Sequence, residues 1–202
     1  KGYQHGAPQI VTETITKQIP FWEEPLLSKD TMEFKNLNEA KDFLKFSLES
    51  SIKIQSHGEV GYASYLSGGI DSSALSFFLK KLNLNNKLKT FSITFQNKEY
   101  DETSAQKEVQ SFLGSDHTSI NITHKDISSN FRNVINHAET LLFRTAPVPL
   151  YLLSKKVNEH GQKVIFTGEG ADEILLGYDL FAENRIRRFW NKNPDSNTRP
   201  KL

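Results

Sequence analysis

Cysteine is missing from all 202 residues of the chain. That absence excludes a disulfide framework, a thiolate metal site and a nucleophilic thiol. An excess of one charge is missing too, since 25 Lys and Arg stand against 24 Asp and Glu. Such a balance creates no field that would draw nucleic acid or an acidic membrane surface, so neither is an expected partner and any anion site has to be local. Long hydrophobic runs are also absent. None approaches the roughly 20 apolar residues of a spanning helix, and the opening Lys1-Gly2-Tyr3-Gln4-His5 has no apolar signal core. The expectation is a soluble protein, and a cytoplasmic location fits it. The histidines, His117 and His137 among them, show no metal-ligand spacing, and no Gly-x-Ser-x-Gly elbow marks a serine hydrolase.

What is present has the length of one main domain, on a scale of roughly 100–200 residues per domain. The chain starts without Met and stops at Arg199-Pro200-Lys201-Leu202, which suggests a fragment of a longer protein. Residues 1–36 carry Pro8, Pro20 and Pro25 and read as an extended or hairpin lead-in, a linker. From Leu37 the pattern changes: Leu44, Leu48 and Ile52 recur at four-residue spacing beside Phe43, one apolar stripe of a packed helix. Strands expected at 62–66, 90–95, 118–122 and 163–167 then alternate with helices at 71–81, 101–113, 127–138 and 148–159. This alternation predicts an α/β fold, a mostly parallel sheet with helices on both faces. Ligands of such sheets bind beyond the carboxyl ends of the strands. The stretch Arg185 to Leu202 is basic and polar, an excursion from the domain.

The informative segment is Leu66-Ser67-Gly68-Gly69-Ile70-Asp71-Ser72-Ser73, at a strand-to-helix junction. Gly68 and Gly69 lack Cβ and let the backbone approach a ligand, Ser67, Ser72 and Ser73 add hydroxyls, and the following helix aims unpaired N–H groups at an anion. It is a phosphate cradle without the lysine of a Walker loop and without the spacing of a Gly-x-Gly-x-x-Gly turn. It resembles the SGGxDSS signature of the PP-loop ATP pyrophosphatases, which cleave ATP between its α and β phosphates. A second block, Phe166-Thr167-Gly168-Glu169-Gly170-Ala171-Asp172-Glu173-Ile174-Leu175-Leu176-Gly177-Tyr178, follows another apolar strand. It resembles the [ST]GEGADE-x-x-x-GY block of the glutamine-hydrolysing asparagine synthetase family. Thr90 to Phe95, Tyr100-Asp101-Glu102 and Pro149 to Lys155 fall in that family's order, and Pro20-Phe21-Trp22 resembles the end of its glutaminase domain.

The resemblance implies a division into residues 1–36, a linker or the end of a glutaminase domain; 37–190, the N-terminal part of the synthetase domain; and 191–202, a continuation. It implies an adenine-nucleotide α-hydrolase-like fold, with ATP and Mg²⁺ as cofactors. The implied reaction joins ammonia, supplied by a glutaminase domain that this chain does not include, to a carboxylate such as that of aspartate. A homodimer is allowed for, although the oligomeric state is open. Leu66 and Ile93 are then nucleotide contacts, although on physics alone they are ordinary strand residues, and Thr167 and Gly168 join them.

Asp71 and Asp172 are candidates for both nucleotide and metal binding, each just after a strand in a glycine-containing turn; either also suits a helix N-cap. Glu169, between Gly168 and Gly170, is the candidate general base for ammonia; the alternative is an ion pair that only shapes the pocket. Arg144 offers a two-pronged clamp for a substrate carboxylate, or is a surface arginine. No lysine here matches the one that steadies adenylation in the family, so this chain alone is not expected to make amide. Three functions remain open at this point: an asparagine-forming ligase, a related adenylating cyclase of lasso-peptide or β-lactam type, and a non-catalytic nucleotide-binding scaffold. The β-lactam branch carries tyrosine at the position of Glu169.

Overall fold

The computed structural model describes residues 9–11, 16–18, 34–82, 87–95 and 102–198. Expectations attached to Pro8, Pro20-Phe21-Trp22, Pro25, Tyr100-Asp101 and residues 199–202 lie outside these. The chain divides into two compact units, residues 1–45 and 46–202. In the first, β1 (Gln9–Val11) pairs antiparallel with β2 (Thr16–Gln18). Helix α1 (Leu37–Gln55) opens on a reciprocal cap: the Glu39 N–H donates to Asn36 Oδ1 at 3.0 Å, and the Lys35 N–H donates to Glu39 Oε2 at 2.8 Å. The units part inside this helix. Of the stripe Leu44, Leu48 and Ile52, only Ile52 reaches the core; the other two stay exposed.

The second unit is built on β3 (Tyr62–Tyr65), β4 (Lys89–Phe95), β5 (Asp116–Ile122) and β6 (Val164–Phe166), all parallel, in the order β5-β4-β3-β6. The crossovers are α2 (Ile70–Leu82), α3 (Thr103–Leu113), and the pair α4 (His124–Ala138) and α5 (Pro147–Glu159). From β3 the chain steps outward through β4 to β5, then returns to the opposite side of β3 to form β6. The order therefore reverses between β3 and β6, and the crevice at such a switch point is where open parallel sheets bind ligands. The α/β fold is the one the alternation calls for. The short α6 (Ala171–Leu175) and α7 (Asp179–Asn191), which has no buried residue, were not foreseen from periodicity.

Local chemistry fixes the helix ends. Thr123 and Asp126 form a reciprocal capping box at α4, Pro147 opens α5, and Gly114 closes α3 with φ of +59°. Successive strand residues serve opposite faces, as the period of two requires. Tyr62 and Phe166 join Ile52, Leu79 and Leu88 on one face. Ala63, Tyr65 and Ile165 join Phe91, Leu153 and Val157 on the other. Between β3 and α2 the two buried hydroxyls of Ser64 and Ser76 meet at 2.9 Å, so small side chains carry α2 close to the central strand.

Between β4 and β5 the His117 ring is half-buried, with Nδ1 2.8 Å from Thr90 Oγ1 and Nε2 3.0 Å from Ser92 Oγ. Burial lowers its pKa below the ordinary 6.5. The unfolded chain then binds more protons in that window, so stability is complete above about pH 6.5 and is lost as pH falls from there through the folded value. The native chain should lose more melting temperature than His117→Gln between about pH 7.5 and 5. Equal slopes in thermal melts would remove this residue from the account.

Candidate functional site

Beyond Tyr65 the chain stays paired for one more residue: the Leu66 N–H donates to the Phe91 carbonyl at 2.8 Å, and Leu66 is only 1% exposed. The loop then turns on itself. Ser72 Oγ, buried at the start of α2, accepts from the Ser67 N–H at 3.1 Å and lies 2.8 Å from Ser67 Oγ. Ser72 donates to the Gly69 carbonyl at 3.2 Å, while Ser67 Oγ accepts from the Gly69 N–H at 3.1 Å. The hydroxyls of Ser67 and Ser72 thus hold the loop's own backbone in shape. Ser73 donates to the Gly69 carbonyl at 2.6 Å and lines a separate groove with Phe77 and Phe112.

Gly68 has φ of +88°, and a Cβ there would lie 2.9 Å from Ala105 Cβ and 3.0 Å from the Gln106 backbone nitrogen. Its permissiveness lets the loop lie against the first turns of α3. On the far side of the switch point the second loop, Thr167 to Gly170, comes equally close. A Cβ on Gly168 would stand 3.1 Å from Asp71 Cβ and 3.2 Å from the Ser72 nitrogen. The Ala171 N–H donates to the Gly168 carbonyl at 3.2 Å, and Gly170, at φ of +90°, turns the chain into α6.

Together the loops enclose a cavity of about 620 Å³, within the roughly 300–1,000 Å³ of small-molecule sites. Leu66, Phe91, Ile93 and Leu153 give it an apolar wall. Asp71, Glu102, Glu169, Asp172 and Glu173 line it with five carboxylates, and no Lys or Arg stands among the described lining residues. Of the residues picked out from sequence, Leu66, Ser67, Asp71, Ser72, Ile93, Thr167, Gly168, Glu169 and Asp172 all face this one cavity. Gly68, Gly69 and Ser73 shape the loop without lining it. Arg144 stands apart, exposed in the connection between α4 and α5 and absent from the lining.

Two features escaped sequence reading. Gln106 of α3, only 3% exposed, lines the cavity and donates its Nε2 hydrogen to the Ile93 carbonyl at 3.0 Å. The available signal was a polar residue seven positions before Leu113 on the buried stripe of α3. Tyr178 donates its phenolic hydrogen to Glu173 Oε1 at 2.8 Å. That bond, then desolvation and the charges of Glu173, Asp172 and Glu169, hold its pKa above the ordinary 10.0. Glu173 and Tyr178 both stand in the second motif, but nothing local pairs them.

A metal bound here would find oxygen donors in Asp71 and Asp172. No group of three or more His, Cys, Asp or Glu side chains converges among the described residues. Two carboxylates fit Mg²⁺ carried by phosphates, which takes few protein ligands and keeps its waters, better than a metal held by protein alone.

A family model described as asparagine synthase matches residues 44–201. The chain belongs to the asparagine synthase family. It is 31% identical over 153 residues to asparagine synthetase (glutamine-hydrolyzing) 1 of Bacillus subtilis, which covers 76% of this chain and 23% of that protein. Against asparagine synthetase B (glutamine-hydrolyzing) of Escherichia coli the identity is 33% over 155 residues, covering 70% of this chain and 28% of the relative. The chain spans about a quarter of the length of these curated relatives. A solved NH3-dependent NAD synthetase from Campylobacter jejuni superposes with a TM-score of 0.44 at 18% identity, over 72% of this chain and 62% of that one.

Gly68→Ala should destabilise the fold by about 1–3 kcal/mol, because it combines a left-handed backbone with contact against α3 backbone. Gly69→Ala would meet only the Ser67 hydroxyl at 3.2 Å and should have the smaller effect. Denaturant unfolding of the two variants in parallel checks the order, and a larger loss at Gly69 would refute it.

Proposed function

We propose that this chain forms the nucleotide-binding part of an ATP-dependent ligase that adenylates a carboxylate, the side chain of aspartate, for attack by ammonia. The observation that carries the reading is the meeting of two glycine loops across the switch point of the sheet, with Asp71 and Asp172 on one cavity. In this reading residues 37–190 are the N-terminal part of the synthetase domain, and residues 1–36 lead in from a glutaminase domain.

A carboxylate oxygen of the substrate attacks the α-phosphorus of ATP, and pyrophosphate leaves into the loop Ser67 to Ser72. Ammonia derived from glutamine then adds to the acyl-adenylate carbonyl, and AMP departs as the amide of asparagine forms. The first N–H groups of α2, with the positive end of its dipole, stabilise the departing phosphates. The apolar wall at Leu66 and Ile93 takes the adenosine, and Thr167 and Gly168 contact it from the opposite strand. Glu169 is exposed at the mouth of the cavity, where its carboxylate takes the proton that ammonia sheds on forming the amide. Asp71 and Asp172 would hold Mg²⁺, which when bound neutralises charge on the phosphate oxygens. Arg144, outside the cavity lining, receives no role.

Titration calorimetry of ATP with Mg²⁺ tests the assignment. The chain should bind, and Asp71→Ala should weaken binding by at least about tenfold, as expected for loss of a charge-assisted contact. Equal binding in the two proteins, or none in either, would count against a nucleotide site at these loops.

A further inference from the structure

Gln106 is a polar side chain at the edge of an apolar wall, and its two ends are used differently. The residue is 3% exposed, and its Nε2 is committed to the Ile93 carbonyl at 3.0 Å. A carbonyl only accepts hydrogen bonds, so this contact fixes which end of the amide is which. Oε1 meets no hydrogen-bond donor among the described residues. No side-chain N or O atom that is fully out of contact with solvent lacks a partner among them, so Oε1 keeps some contact with solvent, and the cavity is an opening that Gln106 lines. The backbone that carries this side chain is held in place: Gly68 lies against its nitrogen, and its N–H closes the first turn of α3 on the Glu102 carbonyl at 3.0 Å.

An acceptor presented beside Leu66 and Ile93 is unsuited to phosphate oxygens, which are acceptors themselves. It suits a neutral N–H or O–H donor, and an unpaired acceptor in apolar surroundings penalises any ligand that lacks one. We infer that Gln106 is a specificity-determining residue of this site, with its Oε1 accepting a hydrogen bond from the exocyclic 6-amino group of adenine. The inference rests on the ATP reading and deepens it by naming the side chain that reads the base. A ribose hydroxyl presents the same donor chemistry, and deoxynucleotides separate the two sources.

The test is calorimetry of the 202-residue chain in Mg²⁺ with ATP, purine riboside triphosphate (which lacks the 6-amino group), 2′-deoxy-ATP, 3′-deoxy-ATP and inorganic pyrophosphate. The native chain should bind ATP at least about tenfold more tightly than purine riboside triphosphate, the size of effect a buried unpaired acceptor produces. Gln106→Met, of similar length and without an acceptor oxygen, should bring the two within about threefold while leaving pyrophosphate affinity unchanged.

A native ratio near one overturns the inference without any variant. So does a native ratio that survives in Gln106→Met, or a variant that loses discrimination against the deoxynucleotides instead. Equal loss of pyrophosphate affinity would make Gln106 a support of the loop only. If the native chain binds neither ATP nor pyrophosphate, the ATP reading falls as well. If it binds ATP but ignores the 6-amino group, only the role of Gln106 falls.

Discussion

The close approach of two backbones at the switch point governs the rest of the site. Gly168, after β6, lies against Asp71 and Ser72 at the start of α2, where a Cβ would stand 3.1 Å from Asp71 Cβ, tighter than ordinary contact. That contact requires β3 and β6 to be neighbours in register, as the pairing of Ser64 with Phe166 shows. It also requires α2 to lie close to β3, which the Ser64–Ser76 hydroxyl pair allows. A bulkier pair at those positions would lift the helix and separate the loops. The hydrophobic cores on the two faces therefore serve a definite purpose, since they hold two strand ends and one helix N-terminus in a single constellation.

Charge is the second constraint. A cavity lined by five carboxylates and no described Lys or Arg is a poor receptor for free triphosphate. Backbone N–H groups and a helix dipole offset part of the repulsion, but each such contribution is of the order of 1 kcal/mol. A divalent cation reverses the sign of the problem, because the carboxylates then become attractive. The hydrogen bond to Glu173, then desolvation, hold the Tyr178 pKa above its ordinary value, and the charges of Glu173, Asp172 and Glu169 add to the shift. In this view the acidity of the cavity selects a metal-bound nucleotide over the bare anion.

Much of this was legible in the sequence because glycine and strand-to-helix junctions leave local signatures. The sequence alone places the loops Ser67 to Ser73 and Thr167 to Gly170 at strand ends, and the four parallel strands fall within a few residues of their expected spans. Other features depend on contacts between distant residues. Nothing local to Ser72 says that its hydroxyl will be consumed by the loop, or that Ser73 will turn toward Phe77. Residue type alone leaves Arg144 open as a carboxylate clamp or a surface arginine, and its placement depends on the connection that leaves α4 through Glu139, in a left-handed conformation, and stays at the surface. Gln106 was hidden for the opposite reason, because its polarity on a buried stripe makes sense only once Ile93 is beside it. The helical period of Leu44, Leu48 and Ile52 was right, whereas the burial inferred from it holds only at the last of the three.

If the two loops and the acidic cavity form one site for a cation-bound nucleotide, ATP affinity has to depend on the ion. Calorimetric titration of ATP into the chain with Mg²⁺, and again with the ion removed by chelator, should show binding with Mg²⁺ and a loss of at least about tenfold without it, the effect of leaving like charges facing each other. Affinity that is unchanged or higher in chelator would contradict it.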